Sequence, residues 1–160
     1  MDCLYNVFCC LRNKKLLKYT KNTKLFNFEN QIKRAKVVKV YDGDTIHVVF
    51  YHNDDYYRFK CRLNRIDTPE IKSKLILEKR KANEVKNILK NKILNKLIKI
   101  KCGKFDKYGR ILIEVYYENI NINEWLLSNK YALPYDGKSK SQWNINILNN
   151  IKINTSFDSI

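Results

Sequence analysis

From Lys36 onward the apolar positions of this chain alternate, then fall at helical spacing, then alternate again. Lys36 to Tyr41 and Thr45 to Tyr51 are rich in β-branched and aromatic residues. Asp42-Gly43-Asp44 splits them, so together they predict a hairpin. His52-Asn53-Asp54-Asp55 predicts the next turn, after which Tyr57, Phe59, Cys61 and Leu63 alternate with Arg58, Lys60, Arg62 and Asn64. That is a period-2 strand with one apolar face. Pro69 ends it, because proline has no ladder N–H and holds Thr68 extended.

Between Lys72 and Lys92, Leu75, Ala82, Val85, Ile88 and Leu89 recur near helical spacing while lysines, Glu78 and Glu84 fill the outer face. Ile98, Ile100 and Cys102, then Ile111, Ile113 and Val115, predict two more strands around the polar loop Gly103 to Arg110. A short helix over Asn123 to Asn129, a loop over Tyr131 to Lys138 and a weak helix near Ser141 to Ile151 complete the pattern. Trp143, Ile147 and Ile151 are the packing candidates of that last helix. Three strands, a helix, two strands and two helices are the layout of an α+β fold, a five-stranded Greek-key β-barrel of the oligonucleotide-binding type with three helices.

The expected folded domain spans residues 35–152, between a basic extension over 1–34 and a tail over 153–160. The extension carries Arg12, Lys14, Lys15, Lys18, Lys21, Lys24, Lys33 and Arg34 against Asp2 and Glu29. Cys3, Cys9 and Cys10 followed by Arg12-Asn13-Lys14-Lys15 match a two-signal tether, in which acylation and a polybasic patch meet an anionic membrane surface. The competing reading, and the one the sequence favours because no glycine permits myristoylation as a first signal, is a partly disordered basic leader whose cysteines have no role. Asp2 stands where a signal peptide wants positive charge, and no small-residue cleavage site follows, so secretion is not expected. No stretch reaches the roughly 18 apolar residues of a membrane span. Five cysteines without disulfide or metal spacing fit a reducing, intracellular setting, with Cys61 and Cys102 as small core residues.

The formal charge of +16 calls for a polyanionic partner. It does not decide the matter alone, since the chain holds 25 Lys, 20 Asn and 18 Ile, the bias of an AT-rich coding sequence.

The chemistry concentrates at strand ends. Asp44, Asp67 and Glu70 are carboxylates that adjacent strands would bring to one end of a barrel. Oxygen donors without nearby His or Cys fit Ca²⁺ or Mg²⁺ rather than zinc, with the Thr68 carbonyl as a third ligand and weak affinity expected of so sparse a set. Each aspartate taken singly reads as a turn former. Arg62 and Arg110 suit the charge that builds on phosphoryl oxygens during phosphodiester attack, because a guanidinium can meet two of them at once. Glu70, one residue past a proline, suits a positioned general base for water. Asp42 reads as a turn residue.

In order and in compatible spacing, Asp42-Gly43-Asp44-Thr45, Arg62 to Ile66, Asp67-Thr68-Pro69-Glu70 and Asp106-Lys107-Tyr108-Gly109-Arg110 closely resemble the staphylococcal-nuclease (thermonuclease-like) family over residues 36–136. The segment Tyr131 to Lys138 looks most like versions from large DNA viruses, which would place the protein in a host cytoplasm.

The resemblance implies a Ca²⁺-dependent phosphodiesterase that cuts single- or double-stranded DNA and RNA with low sequence specificity and leaves 3′-phosphates; a monomer is expected, though the sequence itself is silent on oligomeric state. Asp44, Asp67 and the Thr68 carbonyl would hold calcium. Arg62 and Arg110 would bind the phosphate and its transition state, and Glu70 would activate water. Lys107 and Tyr108 would contact the terminal phosphate and base, with Tyr135 as a second wall. The alternative is a non-catalytic nucleic-acid-binding barrel that keeps the groove. Two departures stand out. Glu70 runs into its helix without a long loop, and Lys130 replaces the family's glycine, so a different turn is expected there.

Overall fold

The computed structural model describes residues 13–137 and 143–151. Cys3, Cys9, Cys10 and the tail over 153–160 lie outside the described residues, as do most of the polybasic tether's apolar positions.

Five long strands carry the architecture: β1 (Ile32–Val40), β2 (Thr45–His52), β3 (Asp55–Leu63), β5 (Leu97–Phe105) and β6 (Ile111–Tyr117). Three two-residue strands join them, β4 (Ile66–Asp67), β7 (Ile120–Asn121) and β8 (Leu133–Pro134). The sheet order is β3-β2-β1-β5-β6-β7, and a parallel pairing of β3 with β6, Cys61 opposite Ile111 and Leu63 opposite Ile113, closes it into a five-stranded barrel. The expected fold class holds.

The β2–β3 turn is built by Asn53 and Asp54, both at positive φ (48° and 64°), as a tight hairpin with native twist requires. Inward positions of every barrel strand are buried, including Ile46, Val48, Phe50, Ile98, Ile100, Ile111, Ile113 and Val115. Cys61 and Cys102 are free thiols in this core, and burial pushes both above the ordinary thiol range, Cys102 to about 11. Tyr57 departs from the expected apolar face of β3: near the hairpin tip the strand runs past the core, and Tyr57 is exposed.

The core reaches upstream of Ala35. β1 begins at Ile32, and Phe28 is fully buried, edge-on to Phe50 at 5.5 Å and to Phe59 at 5.4 Å, while Phe50 and Phe59 stack at 4.1 Å. These rings plug the barrel end away from Thr45. No periodicity marks Phe28, because it packs from an irregular segment.

Helix α1 spans Ile76–Ile93, starting four residues later than the apolar pattern suggested. Residues 70–75 instead form turns held by side chains described below. Ala82, Val85, Leu89 and Ile93 form its buried stripe, each large one worth roughly 1.5–3 kcal/mol. Helix α2 (Ile122–Ser128) is capped by Asn121, whose side chain accepts from the N–H groups of Asn123 and Glu124. It ends with Lys130 at φ 62°, the N–H of Tyr131 bonding to Leu126 O and that of Lys130 to Leu127 O, both at 2.9 Å. The expected change of turn is therefore absent: the lysine occupies the left-handed position itself, in a Schellman geometry. The predicted loop over Tyr131 to Lys138 contains β8, which pairs with β4.

Helix α3 (Ile145–Asn149) is shorter than expected. Trp143 and Ile151 are buried and Ile147 is half-buried, but the fully buried residue of the helix is Leu148. Among the described residues, no helix is long and apolar enough to cross a membrane.

Candidate active site

The turn between β1 and β2 presses against the chain that leaves β4. A β-carbon built on Gly43 would lie 2.8 Å from Thr68 Oγ1 and 2.9 Å from Val85 Cγ1, closer than real β-carbons approach. Glycine at 43 thus lets the two acid-bearing segments and helix α1 meet. Asp42 serves the turn, its Oδ1 accepting the N–H of Asp44 at 3.1 Å.

Asp44 and Asp67 converge. They are 5% and 3% exposed, and the guanidinium of Arg62 joins them. Nη1 donates to Asp44 Oδ2, while Nη2 donates to Asp67 Oδ1 at 3.4 Å and to the Ile66 carbonyl at 3.1 Å. Thr45 extends the network. Its hydroxyl donates to Asp44 Oδ1 at 2.8 Å and accepts from Arg110 Nη1 at 3.2 Å. The indole Nε1 of Trp143 donates to Asp67 Oδ2 at 3.3 Å. A single hydrogen-bonded chain therefore runs Arg110–Thr45–Asp44–Arg62–Asp67–Trp143.

Register explains the convergence. Thr45 opposes Arg62 across β2–β3, and Arg62 opposes Leu112 across the closing pair. Arg110 enters from the loop before β6, which Asp106 stiffens. The Asp106 carboxylate accepts the N–H groups of Tyr108 and Arg110 at 2.9 Å each and Arg110 Nε at 2.7 Å. Burial opposes its ionisation, but these donors outweigh burial and hold Asp106 below the ordinary carboxylate range. Gly109, at φ 75°, makes the turn possible.

The expected substrate residues fall beside the two arginines. The Arg110 guanidinium lies 5.4 Å from the Tyr108 ring centre, and Lys107 Nζ lies 5.1 Å from it on the same loop. Arg62 lies 5.4 Å from the ring of Tyr135. Tyr135 lines a groove of about 600 Å³ with Arg62, Arg65, Leu112 and Pro134. Tyr108 is 71% exposed, an open stacking surface.

Glu70 is half-buried on the turn after Pro69, and its backbone is fixed by a residue that sequence reasoning passed over. Glu78, in the first turn of α1, accepts the Glu70 N–H at 2.9 Å on Oε1 and the Ser73 hydroxyl at 2.5 Å on Oε2. Thr45 and Trp143 were likewise missed as site residues. Buried Asn123 was missed too: it donates to the carbonyls of Asn64 and Ile113 and accepts from Val115 N–H, anchoring the end of β3. Only Thr45 carried a signal, as the fourth residue of Asp-Gly-Asp-Thr.

Burial, followed by the neighbouring charge of Asp42, raises Asp44 to about 7 against the opposing pull of Arg62 and the Thr45 hydroxyl. Among the described residues no set of three or more His, Cys, Asp or Glu side chains could hold a metal ion. The donors that do converge are two buried carboxylates next to Thr68. All are hard oxygen donors, and beside the Arg62 guanidinium they fit a Ca²⁺- or Mg²⁺-type cation completed by solvent or substrate oxygens.

A family model described as "Staphylococcal nuclease homologue" matches residues 60–153. The chain belongs to that family. The matched region holds Arg62, Asp67, Thr68, Glu70 and Arg110, while Asp44 and Thr45 lie before it.

Among curated relatives, an uncharacterized protein of Methanocaldococcus jannaschii is 34% identical over 125 residues, covering 63% of this chain and 58% of that one. An uncharacterized endonuclease of Escherichia coli is 30% identical over 103 residues (64% and 61%), and one of Haemophilus influenzae is 33% identical over 101 residues (63% and 52%). The chain spans about half to three fifths of the length of these relatives. All three are archaeal or bacterial proteins, and none of them is viral.

Proposed function

We propose that this protein is a Ca²⁺-dependent nuclease that hydrolyses phosphodiester bonds of DNA and RNA with little sequence preference. The observation that carries the reading is the single network that puts Arg62 on Asp44 and Asp67 and links Arg110 to them through Thr45. Asp44, Asp67 and the Thr68 carbonyl would hold the cation, which when bound supplies positive charge against the phosphate. Arg62 and Arg110 offer paired N–H donors to phosphoryl oxygens, stabilising the charge that develops in the transition state.

Glu70 takes the proton from a water whose oxygen bonds to phosphorus. The P–O5′ bond breaks, the leaving oxygen takes a proton from solvent, and the phosphate stays on the 3′ side. Tyr108 and Tyr135 are rings for base contact, which is tolerant of sequence because every base has a π-face.

The test is degradation of defined DNA and RNA strands with Ca²⁺, Mg²⁺ or chelator, beside Glu70→Gln. Cleavage with Ca²⁺ that stops in chelator is expected, with Glu70→Gln slower by roughly 10²–10⁴-fold and strand binding retained. Undiminished cleavage in chelator would remove the metal role. Binding without cleavage under any divalent ion would favour a non-catalytic module.

A further inference from the structure

The outer face of β1–β2–β3 carries a patch that the site does not use. Strand alternation puts Arg58 and Lys60 on the same side of β3 as Arg62, at two-residue steps leading away from the site. Lys60 pairs across to His47 and His47 to Lys39; one row further out, Arg58 pairs with Val49 and Val49 with Lys36. Lys36, Lys39, Arg58 and Lys60 are all exposed, and among the described residues none has a carboxylate within 4 Å.

No two of the cations are direct cross-strand partners: His47 and Val49 of β2 lie between the β3 and β1 rows, so the four form one broad positive surface rather than opposed pairs. His47 registers the field. Burial first, then Lys39, Arg58 and Lys60, hold its imidazole below the ordinary range. Aromatic rings punctuate the patch at both ends. Tyr41, 5.7 Å from Lys39 Nζ, lies toward the site, and Tyr51 and Tyr56, with ring centres 5.4 Å apart, lie toward the hairpin tip. Along these strands the acids sit at the two ends, Asp42 and Asp44 in the turn at the site and Asp54 and Asp55 in the hairpin tip.

We propose that this face is a track for the nucleic-acid strand beyond the scissile phosphate, with Lys60 and Arg58 taking phosphates in line with Arg62 and Lys39 and Lys36 flanking them. The direction of the track rests on the nuclease reading above; its affinity for a polyanionic strand does not. Charge complementarity without base-reading side chains makes the contact sequence-independent, and exposed tyrosines favour an unpaired strand.

The experiment uses the full chain and the double variant Arg58→Ala/Lys60→Ala. Binding of a long single strand and of a tetranucleotide is followed by fluorescence anisotropy in chelator across a salt series, and cleavage of both is followed with Ca²⁺. The long strand should bind about tenfold more weakly, with the salt slope shallower by roughly 1.4 for two lost contacts. Tetranucleotide binding and turnover should stay unchanged, and so should the thermal midpoint.

An unchanged long-strand affinity and slope would overturn the track. Loss of binding to anionic phosphatidylserine vesicles in the variant, with strand binding intact, would also overturn it and assign the face to a membrane. Weakened long-strand binding by a protein that cleaves nothing would sustain the track while the nuclease reading fails.

Discussion

Gly43 lies directly against Thr68: a β-carbon on the first would stand 2.8 Å from Oγ1 and 2.9 Å from Cβ of the second. The contact fixes the spacing between the turn that carries Asp44 and the end of β4 that carries Asp67. Gly43→Ala should therefore cost roughly 1–3 kcal/mol by overpacking and weaken Ca²⁺ binding, and with it the stability that Ca²⁺ adds, by separating the carboxylates. Urea denaturation with and without Ca²⁺ measures both effects. A variant as stable as the parent would show that Thr68 moves aside freely.

Glu78 touches no candidate cation ligand, yet it holds the backbone of Glu70 and the Ser73 hydroxyl. Glu78→Ala should lower kcat by about 10- to 100-fold through misplacement of Glu70, leaving KM near the parent value. A rise in KM with kcat unchanged would assign Glu78 to substrate binding instead.

The raised pKa of Asp44 sets a sign for pH dependence. The folded state binds a proton that the unfolded chain has already released, so this stability is complete below the ordinary carboxylate range near 3.8 and is lost as pH rises through about 7. Asp106 has the opposite sign: its contribution is present above the ordinary range and lost as pH falls through its lowered value. In chelator, the denaturation midpoint should fall between pH 5 and pH 8 by way of Asp44. Ca²⁺ should restore it most at the higher pH, and Asp44→Asn should flatten the curve. An equal Ca²⁺ effect at both pH values in the parent would count against Asp44 as a ligand.

Lys130 holds a left-handed backbone at the end of α2, a conformation its β-carbon disfavours and glycine adopts freely. Lys130→Gly should stabilise the protein by roughly 1 kcal/mol, seen as a higher melting temperature at unchanged turnover. A drop in melting temperature would mean that the lysine side chain supports the turn.

The parts of the fold that were legible in advance are those built by repetition. Alternation marked the five barrel strands, and the α1 stripe from Ala82 to Leu89 announced its helix. Asp44, Arg62, Asp67 and Arg110 were legible only as a set: each alone reads as a turn former or a surface charge, but the motifs that hold them follow one another in order and in compatible spacing.

What escaped was set by contacts distant in sequence. Trp143 reads as a core aromatic until β4 is placed beside it, and Glu78 reads as an outer-face charge until the chain after Pro69 folds back on α1. Phe28 lies outside any periodic segment, so its burial follows only from the shape of the barrel end. The start of α1 at Ile76 was misplaced for a related reason. Apolar spacing continues upstream to Leu75, but Ser73 and Glu78 recruit that stretch into turns.

The parallel seam between β3 and β6 joins residues about fifty positions apart, and Arg110 reaches Thr45 only across it. Pairings of such long separation form late, since the intervening loop must first be closed. A nascent chain, or one whose barrel has sprung open, therefore holds its carboxylates and Arg62 on one piece and Arg110 on another. The chemistry of this site is latent until synthesis is past the sixth strand, and its appearance in a refolding experiment would time the moment the barrel shuts.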